Sequence, residues 1–256
     1  VHVTHPYLDA PGGVAALAHR GFSRDGLENT LAAFQAAVDL GYRYVETDAH
    51  GTADGVAVAL HDASLDRTTD RTGRVAHLPW SQVRQARVGG VEPVPTLEDL
   101  LGTWPDLRVN VDVKERSGVA PVAAAIERTR SHDRVCVASF SVTRRDATVA
   151  RLSRPVATSA GTTEALAFFR AGRSGRVPVR AVRDVDVFQV PWRWRGRQVL
   201  TARHVDTAHR AGRLVHVWTV NDEADMTTLL DLGVDGLITD RADVLRDVLR
   251  ARGTWR

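Results

Sequence analysis

Two histidines, three carboxylates and two cations recur in one kind of place along this chain: at, or just past, the end of a short apolar run. Leu17-Ala18 leads into His19-Arg20-Gly21, Tyr44-Val45 into Glu46-Thr47-Asp48, Val58-Ala59-Leu60 into His61-Asp62, and Val109–Val111 into Asp112-Val113-Lys114. If these runs are strands, side chains two apart share a face, so Glu46 pairs with Asp48 and Asp112 with Lys114. Three carboxylates gathered at one rim repel one another unless a cation lies among them. An all-oxygen donor set favours a hard divalent ion, Mg²⁺ or Ca²⁺, over zinc. The competing reading is that each acid simply pairs with a surface arginine. Imidazole titrates near neutrality, which makes His19 and His61 candidates for an acid–base pair; which of them is the base is not legible from the residues, with a lean to His19. A lone strand histidine is otherwise a satisfied structural residue. Arg20 and Lys114 bring positive charge suited to a phosphoryl group that gathers negative charge as it reacts. Lys114 is the only lysine among 34 basic residues, so a compact ammonium rather than a planar fork is expected to matter there. Gly21 is expected to let the backbone turn closely around a ligand. His50 shares strand parity with Glu46 and Asp48, and both a supporting role and simple exposure stay open.

Positioning these groups at one rim requires a particular architecture. Short β-branched runs near 16–20, 42–49, 107–114, 134–139, 155–159, 186–190, 214–219 and 236–239 alternate with amphipathic stretches. Thr30-Leu-Ala-Ala-Phe-Gln-Ala-Ala-Val-Asp-Leu-Gly41 has helical periodicity with a closing glycine. Residues 221–232 read as another helix, with Asn221 as its N-cap and Gly233 after its end. Eight strands in βα alternation point to an α/β fold, a (β/α)₈ TIM barrel. In such a barrel the C-terminal strand ends share one mouth. Residues 56–60 break the alternation, because the gap after the second strand is too short for a helical crossover. Asp54-Gly55 signals a hairpin, so 56–60 is expected to run antiparallel to that strand. Residues 62–95 then read as an insertion forming a small lobe near the mouth, ahead of a helix at 96–104. The whole of 1–256 reads as a single barrel domain without internal repeats.

Composition narrows the function classes. One cysteine excludes an internal disulfide framework, and Cys136 in its apolar run reads as a buried, inert thiol. No apolar stretch reaches the ~20 residues of a membrane span, so no stable membrane anchor is expected. Val1-His-Val-Thr-His-Pro lacks a secretory pattern, which favours a cytoplasmic location. The formal charge of +3 comes from scattered arginines without basic runs or interleaved aromatics, and no nucleic-acid partner is expected. Oligomeric state is not legible.

The series of motifs resembles the glycerophosphodiester phosphodiesterase family. It comprises Ala18-His-Arg-Gly21, Glu28-Asn-Thr-Leu-Ala-Ala-Phe34, Glu46-Thr-Asp48, Thr52-Ala-Asp-Gly55, His61-Asp62, Arg67-Thr-Thr69, Gly73, Pro95-Thr-Leu-Glu98, Asp112-Val-Lys114, Ser139-Phe140, Trp218-Thr-Val-Asn221, Gly233-Val-Asp-Gly236 and Thr239-Asp240. The resemblance runs from about 16 to 250 in the family's order and includes its insertion. It implies His19 and His61 as catalytic histidines, Glu46, Asp48 and Asp112 as ligands of one divalent cation, and Arg20 and Lys114 as phosphate contacts. Asp112 stands where members of the family often carry Glu, a longer arm. Glu28 and Asn29 match the pattern as supports of Arg20 or the metal site, with helix capping the alternative for Asn29. Phe140, Gln189 and Trp218 end later strands and are expected to wall the pocket, while Trp192 and Trp194 form either an apolar rim or a barrel shield. The implied reaction is metal-dependent hydrolysis of a small glycerophosphodiester to glycerol 3-phosphate and an alcohol. The alternatives are lysophospholipase D-like hydrolysis of lysophospholipids, a non-catalytic phosphate-ligand binder, and a glycosidase, which leaves the cations and histidines unexplained.

Overall fold

The computed structural model describes residues 5–23, 25–174 and 185–255; the N-terminal Val1-His-Val-Thr read above lies outside them. Eight parallel strands make a nearly closed barrel: β1 (Ala15–His19), β2 (Tyr44–Gly51), β3 (Arg108–Val113), β4 (Val135–Ala138), β5 (Ala157–Thr158), β6 (Val187–Pro191), β7 (Leu214–Trp218) and β8 (Gly236–Thr239). Their order is β5-β4-β3-β2-β1-β8-β7-β6. The Ser159–Val187 parallel bridge joins the two ends, with Asp186 donating its backbone N–H to Thr158 across the seam at 3.0 Å. Each strand is followed by a helix: α1 (Leu31–Asp39), α2 (Leu97–Thr103), α3 (Val119–Thr129), α4 (Val142–Val149), α5 (Thr162–Ser174), α6 (Ala202–Arg210), α7 (Glu223–Asp231) and α8 (Ala242–Ala251). The (β/α)₈ architecture expected from the alternation is the one observed. No described helix is long and apolar enough to cross a membrane.

Local chemistry sets the helix starts. Thr30 accepts from the Ala33 backbone, Ser141 from Arg144, and Thr96 with Asp99 makes a reciprocal capping box. Each such cap satisfies a donor that the first turn leaves unpaired, worth about 1 kcal/mol. Helix α7 starts at Glu223, not at Asn221, because Asp222 is the residue that accepts from Asp225. Asn221 is thereby freed for the active mouth.

Two layers of apolar packing hold the barrel. Val45, Val109, Val111, Val137, Val215 and Leu237 face outward against the helices. Ala15, Leu17, Tyr44, Cys136, Val187 and Ile238 fill the interior, and the turn Pro6–Leu8 seals the lower end with fully buried Tyr7. The Tyr44 hydroxyl donates to the Tyr7 carbonyl at 2.7 Å, and the two rings meet edge-on at 5.3 Å. Each fully buried large side chain contributes about 1.5–3 kcal/mol. Among the described residues the barrel interior is therefore a filled core, sealed at its lower end by Tyr7.

The accessory strand Ala57–Ala59 pairs antiparallel with β2, Ala49 opposite Ala59. Gly55 turns the chain between them with a φ of +84°, in the left-handed region. Residues 62–95 carry an apolar cluster of their own, in which Leu65, Val75, Val83 and Val88 pack beneath Val58 and Leu60. That cluster fixes the segment on which His61 sits.

Candidate active site

β2 and β3 lie in register with Glu46 opposite Asn110 and Asp48 opposite Asp112. The period of two then delivers Glu46, Asp48 and Asp112 to the interior at the C-terminal mouth, all buried. The Lys114 ammonium stands between two of them, 2.7 Å from Asp48 Oδ1 and 2.8 Å from Asp112 Oδ2. Arg20 Nε lies 2.9 Å from Asp48 Oδ2, and its NH1 donates to Glu28 at 3.0 Å. Burial works against the Asp48 charge, but Lys114 and Arg20 outweigh it and hold the carboxyl below its usual range. Glu46 has only the His19 ring and the more distant Lys114 to set against its burial. Burial first, then the charge of Asp48, push its pKa up to about 8. Burial also raises Asp112 against the pull of Lys114, and Asp112 Oδ1 is buried without a hydrogen-bond partner.

Both histidines are held in the same way. His19 Nδ1 is 2.6 Å from Asp240 Oδ1, and His61 Nδ1 is 2.6 Å from Asp62 Oδ1. A carboxylate on Nδ1 fixes the tautomer with its proton there and leaves Nε2 for the reacting atoms. Asp240 is steadied in turn by Asn221 Nδ2 at 2.8 Å, and Asp62 by Arg67 Nε at 2.5 Å. The Arg67 hydrogen bond pulls the Asp62 pKa down to about 2. For His19, burial disfavours the charged ring, yet Glu46 and Asp240 overcome it and raise the proton affinity. His19 Nε2 lies 3.8 Å from Glu46 Oε2.

These groups share one cavity of about 1150 Å³. One side of it is the charged cluster. Phe140 and Trp218, ring centroids 5.8 Å apart, stand at the boundary, with the Lys114 ammonium 5.9 Å from the Phe140 centroid. The other side carries the apolar residues Ala160, Ala165, Leu166, Phe169, Trp194 and Val199, with Arg170, Arg203 and His204 beside them.

Residues 19–244 match the Glycerophosphoryl diester phosphodiesterase family. The chain belongs to that family. Its enzyme class is accordingly that of the phosphodiester hydrolases. It is 49% identical over 247 residues to the probable glycerophosphodiester phosphodiesterase 2 of Mycobacterium tuberculosis, covering 95% of this chain and 94% of that one. Its fold is similar to that of a glycerophosphoryl diester phosphodiesterase from Silicibacter pomeroyi (TM-score 0.79, 22% identity, 98% and 99% of the two chains). A phosphodiesterase from Oleispira antarctica, solved in complex with the product sn-glycerol-3-phosphate, is also similar (TM-score 0.74, 22% identity, 92% and 96%).

His19, Arg20, Glu46, Asp48, His61, Asp112, Lys114, Phe140, Gln189 and Trp218 line the one cavity, and the structure refines the roles of their neighbours. Glu28 links Arg20 to Arg67, whose NH2 is 2.7 Å away. Asn29 does not cap α1, since Thr30 does; buried Asn29 instead donates to Asp48 Oδ2 at 3.1 Å and accepts from Thr47. Gln189 donates to Asn110 at 2.9 Å within the cavity wall. Gly21 serves packing rather than a ligand, because a Cβ there would fall 2.6 Å from the Ala33 backbone of α1. β2 continues to Gly51, so His50 is buried rather than exposed and bonds the His61 carbonyl at 3.1 Å. Trp192 is buried in the core between barrel and helices, and only Trp194 reaches the rim. Asp240 and Asn110 had no expected role, and Asn221 only that of a helix cap. Asp240 and Asn221 stand in the family's motifs, but only the barrel closure that sets β8 beside β1 brings Asp240 to His19.

Whether the donor set suits a divalent cation rests on two observations. Burial and the neighbouring acids outweigh His19 and Lys114 at Glu46, and Asp112 Oδ1 is a buried acceptor without a donor. A hard cation among Glu46, Asp48 and Asp112 answers both, so the residues fit. As they stand, with Lys114 between Asp48 and Asp112, the described residues hold no ready-made cluster of three metal-ligating side chains.

Proposed function

We propose that the chain hydrolyses a glycerophosphodiester to glycerol 3-phosphate and an alcohol, using His19 and His61 as base and acid. The observation that carries this reading is the pair of matched carboxylate–histidine dyads on one cavity that also presents Arg20 and Lys114. The family membership and the product bound to the Oleispira antarctica phosphodiesterase support it. His19 Nε2 takes the proton of the attacking hydroxyl as the new P–O bond forms; when that hydroxyl is the neighbouring glycerol oxygen rather than water, the product is a cyclic phosphate, which water then opens to glycerol 3-phosphate. His61 Nε2 gives its proton to the alcohol oxygen as the old P–O bond breaks. Arg20 and Lys114 offset the charge that accumulates on the phosphoryl oxygens. One Mg²⁺ or Ca²⁺ would be held by Glu46, Asp48 and Asp112, where it supplies Lewis-acid polarisation of a phosphoryl oxygen.

A diester with an activated leaving group, such as nitrophenol, separates the two histidines. Its leaving oxygen needs no proton, so His61→Ala is expected to recover most of its lost rate on that substrate while His19→Ala does not. The opposite rescue reverses the roles, and rescue of neither variant removes acid catalysis by either ring. Cation binding is checked without turnover: adding Mg²⁺ or Ca²⁺ to EDTA-stripped protein is expected to raise Tm through mass action. An Asp112→Asn variant that retains the full shift overturns that ligand set.

The apolar side of the cavity favours a second reading, lysophospholipase D-like hydrolysis, in which an acyl chain lies along Leu166 and Phe169. Turnover of glycerophosphocholine against lysophosphatidylcholine distinguishes the two.

A further inference from the structure

Among the described residues, four large apolar side chains are strongly exposed, and three of them, Phe140 (55%), Leu166 (50%) and Trp194 (62%), border the same mouth. Exposed apolar groups gathered in one place mark a contact surface, whereas scattered ones need no explanation. Trp194 is carried on a protruding hairpin, Arg193–Trp194 paired with Arg197–Gln198. Its two turn residues, Arg195 (φ +50°) and Gly196 (φ +77°), both lie in the left-handed region that a tight hairpin turn requires. The base of this hairpin is anchored. Trp192 is buried, Arg193 lies over its ring at 5.7 Å, and Arg193 also pairs with Asp225 at 2.7 Å. The tip is presented to solvent, with Trp194 between cations.

The charge around this rim is one-sided. Arg195 and Arg197 at the tip, and Arg170 and Arg203 on the cavity wall, are exposed and have no carboxylate partner among the described residues. Two nearby acids are already engaged, Asp225 by Arg193 and Glu164 by buried Arg145 at 2.6 Å. Indole and guanidinium side by side, with an aliphatic side chain on the same rim, suit the boundary between headgroups and acyl chains. An acidic protein would meet the charges but leave Trp194 and Leu166 wet.

We propose that this rim seats the barrel, mouth first, on an anionic lipid surface, with the Trp194 side chain at headgroup depth and Arg195 and Arg197 against lipid phosphates. Docking is peripheral and reversible, and it opens the apolar side of the cavity toward the surface.

Flotation of the whole chain with vesicles tests this without reference to turnover. Vesicles of phosphatidylcholine with phosphatidylglycerol are expected to carry the protein at low salt, and to release it as salt rises. Replacing both Arg195 and Arg197 by Ala is expected to weaken that partition by roughly thirtyfold. Trp194→Ser is expected to weaken it at every salt concentration. The double arginine variant should cleave a water-soluble diester at the parent rate, which shows that it is folded. Equal flotation on pure phosphatidylcholine, flotation with neither vesicle, or undiminished binding by the arginine variant overturns the proposal.

Discussion

The two sides of the mouth are built on different physical principles. On the β1–β3 side, buried charges are locked to one another: Lys114 between Asp48 and Asp112, Arg20 on Asp48, Asn29 bracing the same carboxylate. Such a network is costly to desolvate and tolerable only when nearly every member is paired, so its geometry is tightly set. On the α5–α6 side, Ala165, Leu166, Phe169 and Val199 offer surface without direction. Apolar contact accommodates many shapes at modest differences in energy. On the proposed function, chemistry on the phosphoryl group belongs to the first side, and selection of the alcohol or chain to the second.

The sharpest way to break that division is to remove a histidine. Loss of either His19 or His61 by substitution with Ala is expected to lower kcat by about 10²–10⁴-fold on every diester alike, as measured by steady-state rates. Lys114→Ala is expected to cost about 10²–10³-fold, and Lys114→Arg to restore little, since a planar fork cannot take the ammonium's place between Asp48 and Asp112. A rate for Lys114→Arg near that of the parent would show that charge alone suffices there.

Stability provides a third test, from the barrel interior between the two sides. His216 on β7 fits against Gly236, where a Cβ would fall 2.7 Å from its ring, and burial lowers its pKa to about 4. The folded protein thus disfavours the protonated ring, whereas the unfolded chain takes up the proton near the ordinary value of about 6.5. Stability from this residue is complete above that value and is lost as pH falls toward 4, by as much as about 3 kcal/mol. Tm measured across this range is expected to fall more steeply for the parent than for His216→Gln; parallel curves would remove the assignment. The smallest effect belongs to the apolar side. Leu166→Ser is expected to reduce kcat/KM for a diester with an apolar alcohol by roughly three- to tenfold. It should leave glycerophosphocholine nearly unchanged, and an equal loss on both substrates would erase the distinction between the sides.

Much of the charged side was legible in the chain because strand chemistry is local. Period-two alternation places Glu46 with Asp48 and Asp112 with Lys114 before any partner strand is known. Eight apolar runs with helical stretches between them specify a barrel, and the short Asp54-Gly55 connection specifies the accessory strand. What stayed hidden depends on distance in sequence. Asp240 reaches His19 across 221 positions, and only closure of β8 onto β1 makes them neighbours. Asn221 carries a helix-cap side chain and was read as the cap, but Asp222 takes that role and Asn221 holds Asp240 instead. The apolar side resisted reading for another reason, since an alanine, leucine or phenylalanine looks the same in a core as in a pocket wall.

The amino-acid sequence by itself thus determined which groups are the candidates for the chemistry, the faces they share within each strand, and the fold that gathers strand ends at one mouth. The tertiary structure decided which carboxylate serves which histidine, that Lys114 bridges two acids, and that Trp192 is core while Trp194 is rim. The reason is physical. Periodicity and capping act over a few residues, whereas charge pairing and burial are set by what the closed barrel places within a few ångströms.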